Sequence, residues 1–245
     1  MPAELWFLAP ATALLFSVLA LAPLGAQVLQ RGVVFIDLAV AQAAAAAALW
    51  VAAVVDHPNL VVTQALAASG ALLCAAAVAW VAHRWPAQRE ALIGLLYVLG
   101  ASVALLGARQ DPHGRERLAQ LLAADVLWAG WEQVAVLAVC ALAVQALRRW
   151  LGRDAVFFST FAVVASLIVP VLGLFVVFAA LIVPALWQRA GRSPGRAVLI
   201  AMSGSGVGLG ASWLADAPSG ACVALALALT GLAVGTARPG AARQG

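Results

Sequence analysis

From Ala155 to Gln188 the chain runs 34 residues without a charge, bounded by Asp154 and Arg189. A hydrocarbon core about 30 Å thick takes roughly 20 helical residues, so this run is too long for one crossing. It predicts two spanning helices joined by a fold-back. Two prolines, Pro170 and Pro184, interrupt the run, and the reversal is expected near Pro170 to Gly173. The run ends in Trp187, Gln188, Arg189 and Arg192, which gives the hairpin a basic end facing an aqueous compartment.

The rest of the chain fits the same setting. Hydrophobic residues make up 65% of the 245, charged residues 10%, and mean hydropathy is +1.02. A soluble core of this size does not need so much apolar surface. Apolar runs place spans near 5–25, 33–55, 60–82, 91–108 and 132–147, then 155–170, 174–187, 198–213 and 221–236. The expectation is an all-α, polytopic integral membrane protein with about 8–9 transmembrane helices, as one domain over residues 1–245. The first run lacks a cationic n-region and carries Glu4, so it reads as a retained span rather than a signal peptide.

All 14 basic residues are arginine, and the missing lysine excludes a G-x-x-x-x-G-K-[ST] phosphate loop in this chain. Any nucleotide hydrolysis then belongs to another subunit. The sequence pI near 9.8 does not indicate nucleic acid, because the arginines are scattered over short loops. With the N-terminus outside, eleven of the 14 fall in loops on the inner side: Arg31, Arg84, Arg89, Arg148, Arg149, Arg153, Arg189, Arg192 and Arg196, with Arg238 and Arg243 on the tail. Asp56, Asp111, Glu116 and Asp216 collect on the outer loops. Cys74, Cys140 and Cys222 stand alone in apolar segments and read as small packing residues.

Turn chemistry marks the joints at Asp56-His57-Pro58-Asn59, Trp85-Pro86 and Asp216 to Gly220. Ser203 to Gly210 holds two overlapping G-x-x-x-G spacings, which favour close helix packing. The alanine run Ala43 to Ala48 reads the same way. Residues 111–131 differ from their neighbours in being amphipathic and too polar to span. Asp111-Pro112 reads as a helix start, Leu118, Leu121, Leu122 and Trp128 can share one face, and Arg117, Gln120 and Asp125 keep the other sides polar. An interfacial helix, or part of an outer gate, is expected there.

The order of these features resembles the permease subunit of the metal-ion ABC importers that take up zinc and manganese. Four stretches carry the likeness: Arg31 to Gln42 on the second span, Arg89 to Gly94 opening the fourth, Pro112 to Leu118 with Asp125 to Trp128, and Val171 to Ala185. Together they extend over most of the chain in the expected order. The resemblance implies a homodimer in a bacterial cytoplasmic membrane, with cytosolic ABC ATPase subunits below and an extracytoplasmic metal-binding protein above. It further implies ATPase coupling at Pro184, Ala185, Trp187, Gln188, Arg189 and Arg192, and an outer gate beside His113, Glu116, Asp125 and Trp128. Many members carry an acidic residue and a histidine four apart on the second span. Here Gln42 stands at the apparent histidine position and Asp37 lies five residues before it, about 140° around the helix. The paired metal site is therefore not transferred.

Charge inside a bilayer is costly, which marks Asp37 as a pathway candidate, unless it pairs with Arg31 or meets water. Gln42, deeper in the span, lines the pathway or bonds a neighbouring helix. Glu132 is expected at the interface. His57, His83 and His113 fall in loops at no ligand spacing, so the sequence assigns no metal ligands. The leading function is import of a divalent metal through a subunit that holds no cofactor and is not itself an enzyme. A permease for a metal chelate of the siderophore or cobalamin type is the alternative. An intramembrane enzyme lacks support, with no G-x-S-x-G or H-E-x-x-H motif present, and a scaffold without transport leaves the basic hairpin unexplained.

Overall fold

The computed structural model describes residues 7–54, 59–110 and 113–236. The described residues form ten α-helices and no strand: α1 (Leu8–Arg31), α2 (Ile36–Val54), α3 (Leu60–Arg84), α4 (Arg89–Ala108), α5 (Gly114–Leu122), α6 (Trp131–Leu147), α7 (Asp154–Leu172), α8 (Leu174–Arg189), α9 (Pro194–Ala215) and α10 (Ser219–Leu232). Nine of them fall on the nine expected spans, and α5 falls on the amphipathic stretch. Helices α1, α3, α4, α7 and α9 are long and apolar enough to cross a membrane, while α2, α6, α8 and α10 are shorter apolar helices. The chain is a multi-pass helical membrane protein.

Contacts at the helix ends fix two levels. Arg31, closing α1, bonds Asp154 at the start of α7, and Arg189, closing α8, donates to the Leu29 carbonyl of α1. Arg89, opening α4, lies against Gly32, and the Trp187 indole of α8 donates to Thr230 near the end of α10. These ends therefore lie together. At the opposite level the Asp125 carboxylate accepts from Ser219 at the start of α10, and Gly173 and Gly220 both lie against Ala123 and Ala124.

The uncharged run folds back as expected, but the prolines do not break it. Pro170 lies inside α7 and Pro184 inside α8. The reversal is Gly173 alone, at φ 78° and ψ 153°, a conformation essentially restricted to glycine. Proline within a buried membrane helix costs less than in water, because neighbouring helices cover the freed carbonyl. Helix α7 then packs mainly on α3, and α8 on α1 and α10. The arms of the hairpin are thus inserted into the bundle rather than zipped to each other.

Without a hydrophobic drive between helices in lipid, association relies on close packing. A Cβ on Gly25 of α1 would stand 1.9 Å from the Leu181 carbonyl oxygen of α8, so these backbones nearly touch. Of the two overlapping G-x-x-x-G spacings, Gly204 and Gly208 face α10, where a Cβ on Gly208 would meet Val223 Cα at 2.5 Å. Gly206 and Gly210 meet nothing within 4 Å. The alanine run is used likewise: Gly70 of α3 sits against Ala43 and Ala47. Cys140 is buried, and Cys74 and Cys222 are half-buried, all as free thiols.

Candidate functional site

Three regions hold the residues singled out by the sequence. The first is the interior of α2. Asp37 is 0% exposed, the one fully buried carboxylate among the described residues, and neither of its oxygens has a hydrogen-bond partner. It does not pair with Arg31. That guanidinium is engaged elsewhere: Nε reaches Asp154 Oδ1 at 3.0 Å, one terminal nitrogen donates to the Leu151 and Gly152 carbonyls at 3.1 and 3.0 Å, and the other donates to Gln27. It also lies 4.4 Å from the centre of the Phe157 ring. Asp37 therefore offers two unused acceptors inside the bundle, in the first turn of α2. Gln42 is 6% exposed and packs on α4, its Cβ 3.2 Å from where a Cβ on Gly100 would be.

The second region is the end rich in arginine. Pro184, Ala185 and Trp187 are buried within the bundle. Their burial makes them supports of the α8 terminus, and the residues that follow form its accessible surface. Gln188 is half-buried, and Arg189, Arg192 and Arg196 are exposed. Helix α8 closes on a turn through Gly191, at φ 86°, with the Arg192 N–H returning to the Trp187 carbonyl at 3.0 Å. The Arg192 guanidinium lies 5.9 Å from the centre of the Trp187 ring. Pro194 then opens α9 at a position where a missing N–H costs nothing.

The third region is the segment at the opposite end. Helix α5 begins at Gly114, later than the expected start at Asp111-Pro112, a pair outside the described residues. Leu118 and Leu121 pack on Ala45, Ala46 and Leu49 of α2 and on Ala104 and Ala108 of α4. His113, Glu116 and Gln120 are exposed. Trp128 does not share the leucine face: it is 84% exposed, because α5 ends at Leu122 and Trp128 belongs to a separate 3₁₀ turn, Val126–Trp128. Helical periodicity does not carry across that break. Asp125 caps the 3₁₀ turn, accepting from Leu127 N at 3.2 Å, and accepts also from the Ser219 hydroxyl. The segment thus joins the hairpin tip at Gly173 to the start of α10.

Sequence reasoning missed the Arg31–Asp154 pair, whose members are 123 residues apart, and Ser17 of α1, a buried hydroxyl without a hydrogen-bond partner. It also missed Ser219, which carries no local signal. The Asp56 to Pro58 turn, Arg238, Arg243 and Glu4 lie outside the described residues, as does the Arg117 side chain; Asn59 does cap α3, accepting from Val61 N at 3.1 Å. Among the described residues, no three His, Cys, Asp or Glu side chains are grouped so as to hold a metal ion.

A broken hairpin embedded in a bundle of apolar helices, with a buried unpaired carboxylate at one level and a capping segment at the other, defines a polytopic membrane protein built around internal polar positions. The fold is shared with a chain of PsaBC from Streptococcus pneumoniae, solved in complex with a Fab, at a TM-score of 0.67 and 16% identity, over 92% of this chain and 89% of that one. At that identity the likeness is one of fold. No family model and no curated protein matches the chain.

Proposed function

We propose that this chain is the membrane-spanning permease subunit of a metal-ion ABC importer, moving a divalent metal, zinc or manganese, into the cytosol of a bacterium. The observation that carries the reading is the fold held in common with the PsaBC chain over 92% of the present one, which supports a metal ABC importer permease in general. The four sequence stretches that resemble zinc and manganese permeases support it independently. ATP is hydrolysed by separate cytosolic subunits, in keeping with a chain that has no lysine for a phosphate loop. The working unit is a homodimer served by an extracytoplasmic metal-binding protein.

In this reading the exposed arginines after α8 meet the ATPase, and buried Trp187 transmits their displacement to α10 through its bond to Thr230, 3.1 Å long. Asp37 lines the pathway as a weak, transient ligand, since tight binding would trap the ion. Residues 113–128 form the outer gate, seated on the hairpin tip. The test is a pull-down against the ABC ATPase subunits of the same organism. Reversing Arg189 and Arg192 to Glu is expected to abolish co-purification while membrane insertion persists. Because Arg189 also bonds Leu29, a second pair, Arg192→Glu with Arg196→Glu, separates partner binding from bundle stability. Undiminished co-purification of both pairs would show that coupling lies elsewhere.

A further inference from the structure

Helices α1, α6, α8 and α9 leave a groove of about 410 Å³ at the end rich in arginine. Its lining changes character along α1. Leu19, Ala22 and Val198 form one part, where the only amide, Gln145, is tied to the Leu19 carbonyl at 3.0 Å, and Gln27, Gln30, Arg148 and Gln188 form another. Eleven residues separate Leu19 from Gln30, so the groove descends about 16 Å from the helix end toward the middle of the bundle. Its polar part contains a cation and several amides but no carboxylate. Gln27 accepts from Arg31, which leaves its amide N–H₂ free to donate. Arg149 and Arg153 follow Arg148 on the same loop and extend the positive field.

We infer that this groove binds an anionic phospholipid of the cytosolic leaflet, the phosphate beside Arg148 and the glutamines and the upper acyl chain along Leu19, Ala22 and Val198. A free phosphate satisfies only the polar part, and a neutral lipid only the apolar one. The polarity gradient matches a molecule with both, lying at the depth where a headgroup meets hydrocarbon. A basic pocket between transmembrane helices on the cytosolic side is a setting in which acidic lipids are held. The inference uses the orientation given by the arginine loops and does not depend on what the protein transports.

The experiment is native mass spectrometry of the purified full-length chain with dioleoyl phosphatidylglycerol, dioleoyl phosphatidylcholine or inorganic phosphate. Phosphatidylglycerol is expected to bind several-fold more tightly than phosphatidylcholine and to survive excess inorganic phosphate. Arg148→Gln should weaken it about fivefold, and Arg149→Gln, outside the groove, should weaken it distinctly less. Equal binding of the two lipids, or an unaffected Arg148→Gln variant, overturns the inference. Displacement by inorganic phosphate alone would make this a free-anion site instead. If the ATPase subunit displaces the lipid and its own binding falls with Arg148→Gln, the groove is a protein contact and the lipid assignment fails.

Discussion

Replacing Gly173 by alanine is expected to destabilise the bundle by about 2–6 kcal/mol, in two parts. The backbone at φ 78° and ψ 153° lies where L-residues are strained by about 1–3 kcal/mol. The added Cβ would also stand 2.5 Å from Ala124 N, 3.0 Å from Ala123 Cα and 3.0 Å from Leu122 O. All three are backbone atoms, so no side-chain rotation relieves the clash, and overpacking of this kind costs about 1–3 kcal/mol more. Two other glycines separate the terms. Gly191 has φ 86° but nothing within 4 Å of a Cβ, so Gly191→Ala bears strain alone, about 1–2 kcal/mol. Gly94 is helical with nothing within 4 Å, and Gly94→Ala should be neutral or stabilising by up to about 1 kcal/mol. Thermal unfolding in detergent, followed by size-exclusion chromatography of the heated protein, is expected to rank the variants 94, 191, 173, the last falling by roughly 5–20 °C. A Gly173→Ala protein as stable as Gly94→Ala would refute the hairpin geometry.

Three further outcomes follow from the same structure. Asp154→Asn should cost no more than about 1 kcal/mol, since the Asp154 side chain is 69% exposed. Arg31→Ala leaves the Leu151, Gly152 and Gln27 oxygens without their donor and should cost about 2–3 kcal/mol; equal losses in a thermal scan would contradict that division. Asp37→Leu removes an unpartnered buried carboxylate, so the variant should hold or gain stability while losing metal uptake, and a stable variant with full uptake would take Asp37 out of the pathway. Gly208→Leu should lower the yield of folded protein sharply and Gly206→Leu should not, and the reverse order would contradict the packing of α9 on α10.

The spans were legible because an uncharged stretch in lipid must form a helix, and the charged residues between stretches mark where it ends. The hairpin was legible for the same reason, though its hinge was assigned too broadly. Proline reads as a breaker in water, whereas here both prolines sit inside helices and one glycine takes the whole reversal. Arg31 illustrates what local pattern misses: its nearest acid in sequence is Asp37, but the fold delivers Asp154 from the start of α7. That exchange leaves Asp37 buried and without a hydrogen-bond partner, which is what makes it the pathway candidate. At the other end, Trp128 was placed on a leucine face by periodicity, and a helix break at Ala123 removed it. The Asp125–Ser219 bond across 94 residues likewise has no signature in either segment.

Uptake of radiolabelled zinc and manganese into proteoliposomes decides whether the chain is a metal-ion permease, with an ABC ATPase that co-purifies with it, a metal-binding protein supplied outside and ATP enclosed. One of the two metals is expected to accumulate, only with ATP present and not in Asp37→Leu. No ATP-dependent accumulation of either ion, with chelated iron taken up instead, would make the chain a chelate permease.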